Sequence, residues 1–547
     1  MIKTSAKYRT PDFLLQWSAV LLSFGIAVWG NYPAFINDYL KTDDARANIF
    51  WFHRLLDPEL FQNDLLTDYA IFLEALGPKY FYTWASYLMD PFLLEKLVPI
   101  FLHTLTGWIL YRLGHHLAGP WSGFLFTFTF VCFPSHLELF NAGYSRTFAY
   151  PGVILGVYFL TTRRIVHMMW LSPLMALFYP IVFLINSTTW FFWVVIRLKW
   201  RPVGIAPKRL ITVFIAGMLL SAPCVIPKYL TPDDRFGRLM NYEETVNHPG
   251  SYKNGRNKIL PKEPYDEKIL DALDEPFIIL SFLVIFFFLD RKPLSVPLEF
   301  WLTIASGWLL YELAYQMLLT LYFPYKYFRY SFVFIMFFII SLGFGRLLNA
   351  LPNHPARLAG LVVIAFFGYH YYGDQLKRGG NYDDYREKVP LYDYLHTLPK
   401  DALIAAKPYL ADDFPLFAAR KVLINFELAS PWFVNHWATV KERTEDFYAA
   451  YYASRLTDII AFRDKYQVDY LVVDSEDFKL LDRKRFYFNP FNDFIRKRIE
   501  DNRHRFFLPH HLKRLSQFQY KNYHVIDTSR LDRLQSWAFP RNLGDEP

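Results

Sequence analysis

Two adjacent carboxylates, Asp43 and Asp44, are the residues of this chain whose type and setting best suit chemistry. They follow Thr42 and open a helical pattern in which Ala45, Ile49, Phe52 and Leu56 recur on one side. Asp44, Arg46, Asn48 and His53 lie off that side. A helix of this kind next to a membrane span is expected to lie in the interface, apolar side down, with its acidic N-terminus in water. A carboxylate there could take a proton as a general base or bind a cation through oxygen. A plainer reading stays open. Thr42 is a good N-cap, and acids in a first turn gain about 0.3–1 kcal/mol from the helix dipole.

Two other stretches carry groups that could work with this pair. The segment FPSHLELFNAGYSRTFAYP offers His136, Glu138, Tyr144 and Arg146 within a dozen residues. Glu138 could share a divalent cation or acid–base work with Asp43 or Asp44, and the planar fork of Arg146 suits a phosphate. Alternatively, Glu138 and Arg146 only pair with each other. In YFPYKYFRYSF, Lys326 and Arg329 alternate with Tyr and Phe. That pattern fits an aromatic anchor at a membrane surface, and equally a dock for a polyprenyl phosphate or diphosphate.

The elements that must position these groups are mostly apolar. The 547 residues are 53% hydrophobic and 20% aromatic, and a mean hydropathy of only +0.10 requires a sizeable polar part beside any membrane part. Both cysteines, Cys132 and Cys224, lie inside apolar runs, which leaves no disulfide framework and no cysteine metal site. The net charge of +8 is not read as a nucleic-acid signal, because its distribution matters more than its sum.

Runs long enough for about 20-residue spans fall near 13–30, 92–111, 121–140, 147–162, 165–178, 180–197, 209–226, 276–290, 298–322, 327–346 and 357–373. The expectation is an α-helical polytopic membrane protein of about eleven transmembrane helices. Lys3, Lys7 and Arg9, then Arg112, Arg163 and Arg164, the Arg197–Arg209 group, Arg291 and Lys292, and Arg346 and Arg357 all fall on one side of such a chain. That side is cytoplasmic by the positive-inside rule, and the N-terminus lies there. The opposite side receives the acidic loop 31–91, a polar insert 227–275 and the C-terminal region. The insert reads as a lid, an acceptor-binding loop or plain solvated chain. Glu95 and Lys96 read as interfacial anchors, and His103 as a hydrogen-bonded residue within a span. From 374 to 547 short strand-like runs at 402–406, 422–426, 470–474 and 523–526 alternate with helical patterns, which predicts an extracytoplasmic α/β domain.

This pattern resembles the GT-C superfamily of membrane glycosyltransferases, which includes protein O-mannosyltransferases, aminoarabinose transferases and catalytic subunits of oligosaccharyltransferases. The likeness is architectural over 1–373. It is motif-like only in KTDDARANIFW and in the DDAR…DPxLFxxD pattern of Asp43–Arg46 and Asp57–Asp64, similar to bacterial members. It implies a polyprenyl-phosphate-linked sugar donor and an essential carboxylate at Asp43 or Asp44, with Glu138 where the family often has another acid. It further implies transfer to a glycan, lipid or protein acceptor at the periplasmic face of a bacterial inner membrane. Arg46, His53, His136, Tyr144, Arg146, Lys326 and Arg329 become candidate substrate-binding residues. A divalent cation, Mg or Mn, on Asp43, Asp44 and Glu138 is an option rather than a requirement, since a third catalytic acid has no clear counterpart here. No WWD-type acceptor motif is present, which argues against asparagine glycosylation. A transport or scaffold protein for lipid-linked saccharides in envelope polysaccharide assembly is the alternative from a different class.

Overall fold

The computed structural model describes residues 9–132, 137–200, 204–230, 233–252, 254–256, 260, 296–321, 323–377, 382–479, 488–503 and 505–538. The expected span 276–290, the insert residues 261–275, His136, Lys3, Lys7, Arg291 and Lys292 lie outside them. The chain divides into two compact units, each made of separated segments.

The first unit comprises Met1–Thr42, Glu74–Thr231 and Glu263–Asp383. Helices cover the expected runs that are described. Five of them are long and apolar enough to cross a membrane: Asp12–Ile36, Pro91–Ala118, Pro180–Lys199, Pro207–Val225 and Pro324–Ala350. By length and composition this is a multi-pass membrane protein. Its helices meet through small residues. A Cβ on Gly114 would stand 2.8 Å from the Gly123 Cα, so helices Pro91–Ala118 and Pro120–Val131 touch backbone to backbone. Thr127 donates to the Gly107 carbonyl across the same contact at 2.8 Å. Buried polar groups in this unit are used as ties. The His103 ring bonds the Ser23 carbonyl at 3.0 Å and Glu95 pairs with the buried Lys41, while at the surface Lys96 pairs with Asp38 at 2.6 Å. Glu95 therefore secures the chain just after the first helix from inside the protein, where the sequence suggested a surface anchor.

The second unit comprises Asp43–Leu73, Pro232–Lys262 and Asp384–Pro547. Its sheet contains β1 (Leu403–Ala405), β2 (Lys421–Val422), β3 (Tyr470–Asp474), β4 (Ser516–Tyr520) and β5 (Tyr523–Asp527), in the order β2-β1-β3-β5-β4. The first three run parallel, joined by helical crossovers, and β5 and β4 add an antiparallel hairpin. Leu471 faces Ile526 across the β3–β5 ladder, and Ile404, Val472, Val525 and Ile526 are fully buried. Asp474, at the end of β3, accepts from the Glu476 amide and sits in a buried network in which Lys407 pairs with Asp477 and Tyr451 donates to Asp477.

The acidic loop and the polar insert both belong to this second unit. The expected single helix is broken at Phe50 and Trp51 into Asp43–Ile49 and Phe52–Leu56. Its apolar side does not face lipid: Ala45, Ile49 and Phe52 are buried in protein, and only Leu56 is exposed. The helix Asp43–Ile49 packs against the distant segment Phe414–Phe417, and aromatic contacts hold the later part of the loop. Tyr69 stacks on His436 at 3.5 Å and meets Phe236 of the insert edge-on, with Phe72 against Phe433. The described part of the insert is ordered by a capping box at Asn241 and Glu244, with Arg238 on Glu244.

Replacing Ile526 by Ala removes buried methyl groups from the sheet and is expected to cost about 2–5 kcal/mol. A lowered Tm for Ile526→Ala beside an unchanged Tm for Leu358→Ala, at an exposed apolar position, is the measurement that checks this.

Candidate functional site

The site is built from Arg46. It lies on the helix Asp43–Ile49, three residues after Asp43, so both side chains project on the same side and form an ion pair. The other arm of the guanidinium bonds Asp413 at 2.5 Å, and its plane covers the Tyr385 ring. Asp413 is fully buried, yet its second oxygen accepts from Lys388 at 2.6 Å and from Tyr392 at 2.8 Å. A buried carboxylate is tolerated only with this many donors. Burial works against the charge on Arg46, but Asp412, Asp413 and Asp43 outweigh it and hold the guanidinium protonated more firmly than usual.

Two more buried acids complete the cluster. Glu427 pairs with Arg256, and its amide donates to Asp412 Oδ1 at 2.8 Å. Asp412 Oδ2 has no hydrogen-bond partner. Burial, then the neighbouring Glu427, push the Asp412 carboxyl well above the ordinary range. Burial also raises Glu427 against the pull of Arg256, and both Asp43 and Asp44 add to that rise, which places them within its electrostatic reach. At the rim, Asp43 keeps 62% of its side chain in solvent and Asp44 is half-buried. The Thr42 hydroxyl is buried without a hydrogen-bond partner among the described residues. It therefore does not cap the helix, and the grip on Asp43 comes from Arg46.

The remaining expected residues are distributed as follows. His53 is committed to a backbone contact, its Nε2 lying 2.7 Å from the Leu416 carbonyl oxygen. Glu138, Tyr144, Arg146, Lys326 and Arg329 belong to the first unit, with Glu138 exposed. Within that unit Arg146 lies over the Tyr144 ring at 5.2 Å and Lys326 over Phe323 at 5.1 Å. Arg329 bonds Tyr150 and has Arg146, Tyr325 and Tyr330 as electrostatic neighbours. It opens a π-helical stretch, Arg329–Val333, inside a membrane-length helix, a distortion found mostly where function requires it. The Tyr144–Arg146 segment is fixed from several sides. Tyr82 donates to the Gly143 carbonyl, Ser145 to Glu74, and Tyr382 to Asn31 and Asn141. Two guanidinium groups thus lie within electrostatic reach of each other among tyrosine side chains.

Among the described residues, no group of three or more His, Cys, Asp or Glu could hold a metal ion, and this includes Asp43, Asp44 and Glu138. Asp412, Asp413, Glu427, Arg256 and Lys388 were not legible as site residues. The one local signal was a second acid pair, Asp412–Asp413, between the apolar steps Leu410-Ala411 and Phe414-Pro415-Leu416.

No protein-family model matches the chain, and no curated protein matches it. Among solved structures, an oligosaccharyltransferase of Archaeoglobus fulgidus in complex with zinc and sulfate is similar with a TM-score of 0.48 and 11% identity, over 84% of this chain and 68% of that one. The archaeal oligosaccharyltransferase AglB from Archaeoglobus fulgidus, with an inhibitory peptide and a dolichol-phosphate, gives a TM-score of 0.43 at 12% identity, over 84% and 69%. The Archaeoglobus fulgidus enzyme tethered to an acceptor peptide gives 0.41 at 12% identity, over 85% and 69%.

Asp413→Asn leaves Arg46 and Lys388 short of a buried countercharge and is expected to destabilise the protein by about 3–5 kcal/mol. Asp43→Asn, at an exposed ion pair, should cost no more than about 1 kcal/mol. Urea unfolding of the two variants in parallel tests the difference. Stability should also depend on pH. Asp412 and Glu427 keep protons in the folded state that the unfolded chain has already released, so their contribution to stability is fully present below the ordinary carboxylate range and is lost as pH rises through their raised values. Asp412→Asn should flatten that decline in a series of Tm measurements against pH.

Proposed function

We propose that the protein is a membrane glycosyltransferase. It transfers a sugar from a polyprenyl-phosphate-linked donor to a glycan, lipid or protein acceptor at the periplasmic face of a bacterial inner membrane. The observation that carries this reading is the Arg46 clamp: a buried ion pair to Asp413 holds a guanidinium against Asp43 while leaving that carboxylate mostly in solvent. A helix cap needs no such support. A helix that must present the neighbouring Asp44 to a substrate in a fixed position does.

In the proposed reaction Asp44 accepts the proton of the acceptor hydroxyl, and Asp43 and Arg46 fix the helix that presents it. The acceptor oxygen bonds to the anomeric carbon as the bond from that carbon to the phosphate oxygen breaks, with inversion. Arg146, Lys326 and Arg329 are assigned to the departing phosphate, where stabilising developing charge is usually the largest contribution to rate. Glu138 is assigned to the acceptor side as a second acid. The chain's helical, membrane-length composition supports the lipid-linked donor, and the neighbouring like charges of Arg146 and Arg329 support an anionic one.

The test is complementation in the parent organism. Asp43→Asn and Asp44→Asn, made separately, are scored by mass spectrometry of surface glycans, with protein level in the membrane measured alongside. Asp44→Asn should accumulate normally and lower one defined glycan by about 10²-fold or more, as expected for loss of a general base. Wild-type glycans from both variants would reduce the pair to helix residues and turn attention to transport or scaffolding. EDTA, followed by return of Mg or Mn to the same membranes, decides whether the carboxylates act with a cation.

A further inference from the structure

The helix Leu76–Ala85 and the turn that follows carry a second membrane contact that does not depend on glycosyl transfer. One side of this helix is fixed in the first unit. Gly77, Pro78 and Tyr82 are buried, with Gly77 against Phe178 and the Tyr82 hydroxyl on the Gly143 carbonyl. The other side presents Tyr80, Trp84, Tyr87 and Leu88 at helical spacing, with Met89 beside them, and all are exposed. Trp84 keeps 72% of its surface, Tyr87 80% and Leu88 92%. No charged residue interrupts the stretch from Tyr80 to Met89. A contiguous outward group of this size on a folded protein marks a partner.

The chain itself indicates which partner. Asp90 caps the next helix through the Phe92 amide at 2.8 Å, and that helix, Pro91–Ala118, is membrane-length. Its exposed apolar residues Leu93, Leu97, Phe101 and Trp108 form a stripe at four- and seven-residue steps. The patch at 80–89 therefore continues directly from a lipid-facing stripe, at the end where a charged cap sets the water boundary. Tyr and Trp, amphipathic and uncharged, are the side chains that membrane interfaces select. We infer that Leu76–Met89 is an interfacial element whose Tyr80–Trp84–Leu88 face lies in the headgroup and upper acyl region of the bilayer. The sequence had assigned this role to the helix after Asp43. The same helix holds the backbone before Arg146 through Tyr82, so that segment is tied to a lipid-immersed element.

Spin labelling tests this on the full chain. Cys132→Ala and Cys224→Ala clear the background, and Leu88→Cys, Phe101→Cys and Arg496→Cys are labelled one at a time with a nitroxide. The proteins are placed in phosphatidylethanolamine–phosphatidylglycerol vesicles, and collision rates with oxygen and with a nickel chelate are measured. The Leu88 label should gain oxygen collisions and lose nickel collisions relative to Arg496→Cys, taking a value between that site and Phe101→Cys. A Leu88 label as open to nickel as the Arg496 label, with Phe101 still shielded, overturns the inference and leaves the membrane helix intact. If the Phe101 label is also open to nickel, the membrane assignment of Pro91–Ala118 falls and the inference falls with it.

Discussion

The second unit depends on one buried ion pair, Arg46 with Asp413. Removing each ion from water costs several kcal/mol, and the mutual attraction offsets this only when the remaining valences are filled. Lys388 and Tyr392 fill those of Asp413, and Asp43 takes the second arm of Arg46 over the Tyr385 ring, while the buried Arg46 Nε has no hydrogen-bond partner among the described residues. The pair also joins positions far apart in sequence, so the geometry of the first-loop helix is set by residues that follow the membrane helices. The surrounding acids outnumber the cations. Asp43, Asp44, Asp412, Asp413 and Glu427 face Arg46, Arg256 and Lys388. Burial biases Asp412 and Glu427 toward their protonated forms, which reduces the negative charge held in the dry interior.

Much of this architecture was legible because hydropathy and alternation report directly on local structure. The described apolar runs are largely helical, and the strand-like runs at 402–406, 470–474 and 523–526 overlie β1, β3 and β5, whereas 422–426 meets β2 only at Val422 and β4 was not among the expected strands. The covering of the Asp43 helix was not legible. The spacing of Ala45, Ile49 and Phe52 states which side is apolar, and hydrocarbon and a protein core satisfy that side equally well. Only the partners decide, and the segment Phe414–Phe417 that packs on this helix lies hundreds of residues away in sequence. The same limit hid Asp413. A buried acid is recognisable from its donors, and Arg46, Lys388 and Tyr392 come from separate segments.

This assembly has a folding consequence. The second unit is built from 43–73, 232–262 and 384–547, so its first segment leaves the ribosome long before its core partners exist. Tyr69 cannot stack on His436, nor Arg46 reach Asp413, until the membrane helices between them have been made. Contacts of such separation must overcome loop-closure entropy before they stabilise anything, which makes this unit slow to form by topology alone. Until then the apolar side of the Asp43 helix is uncovered, and a bilayer surface is a natural temporary shelter for it.

The cluster also separates the tasks its carboxylates can perform. Asp413 carries a full set of donors and has no exposed surface, so it cannot exchange a proton with a substrate without breaking the pair that defines the fold. Asp412 and Glu427 are buried and biased toward their protonated forms, which suits neutral spacers rather than bases. Asp43 and Asp44 alone in the cluster combine a fixed backbone with contact with solvent. If the cluster acts on a hydroxyl, these two residues are the physical candidates. Between them, Asp43 already spends an oxygen on Arg46, so its part is to hold the helix in place, and Asp44 beside it is the one assigned to the proton.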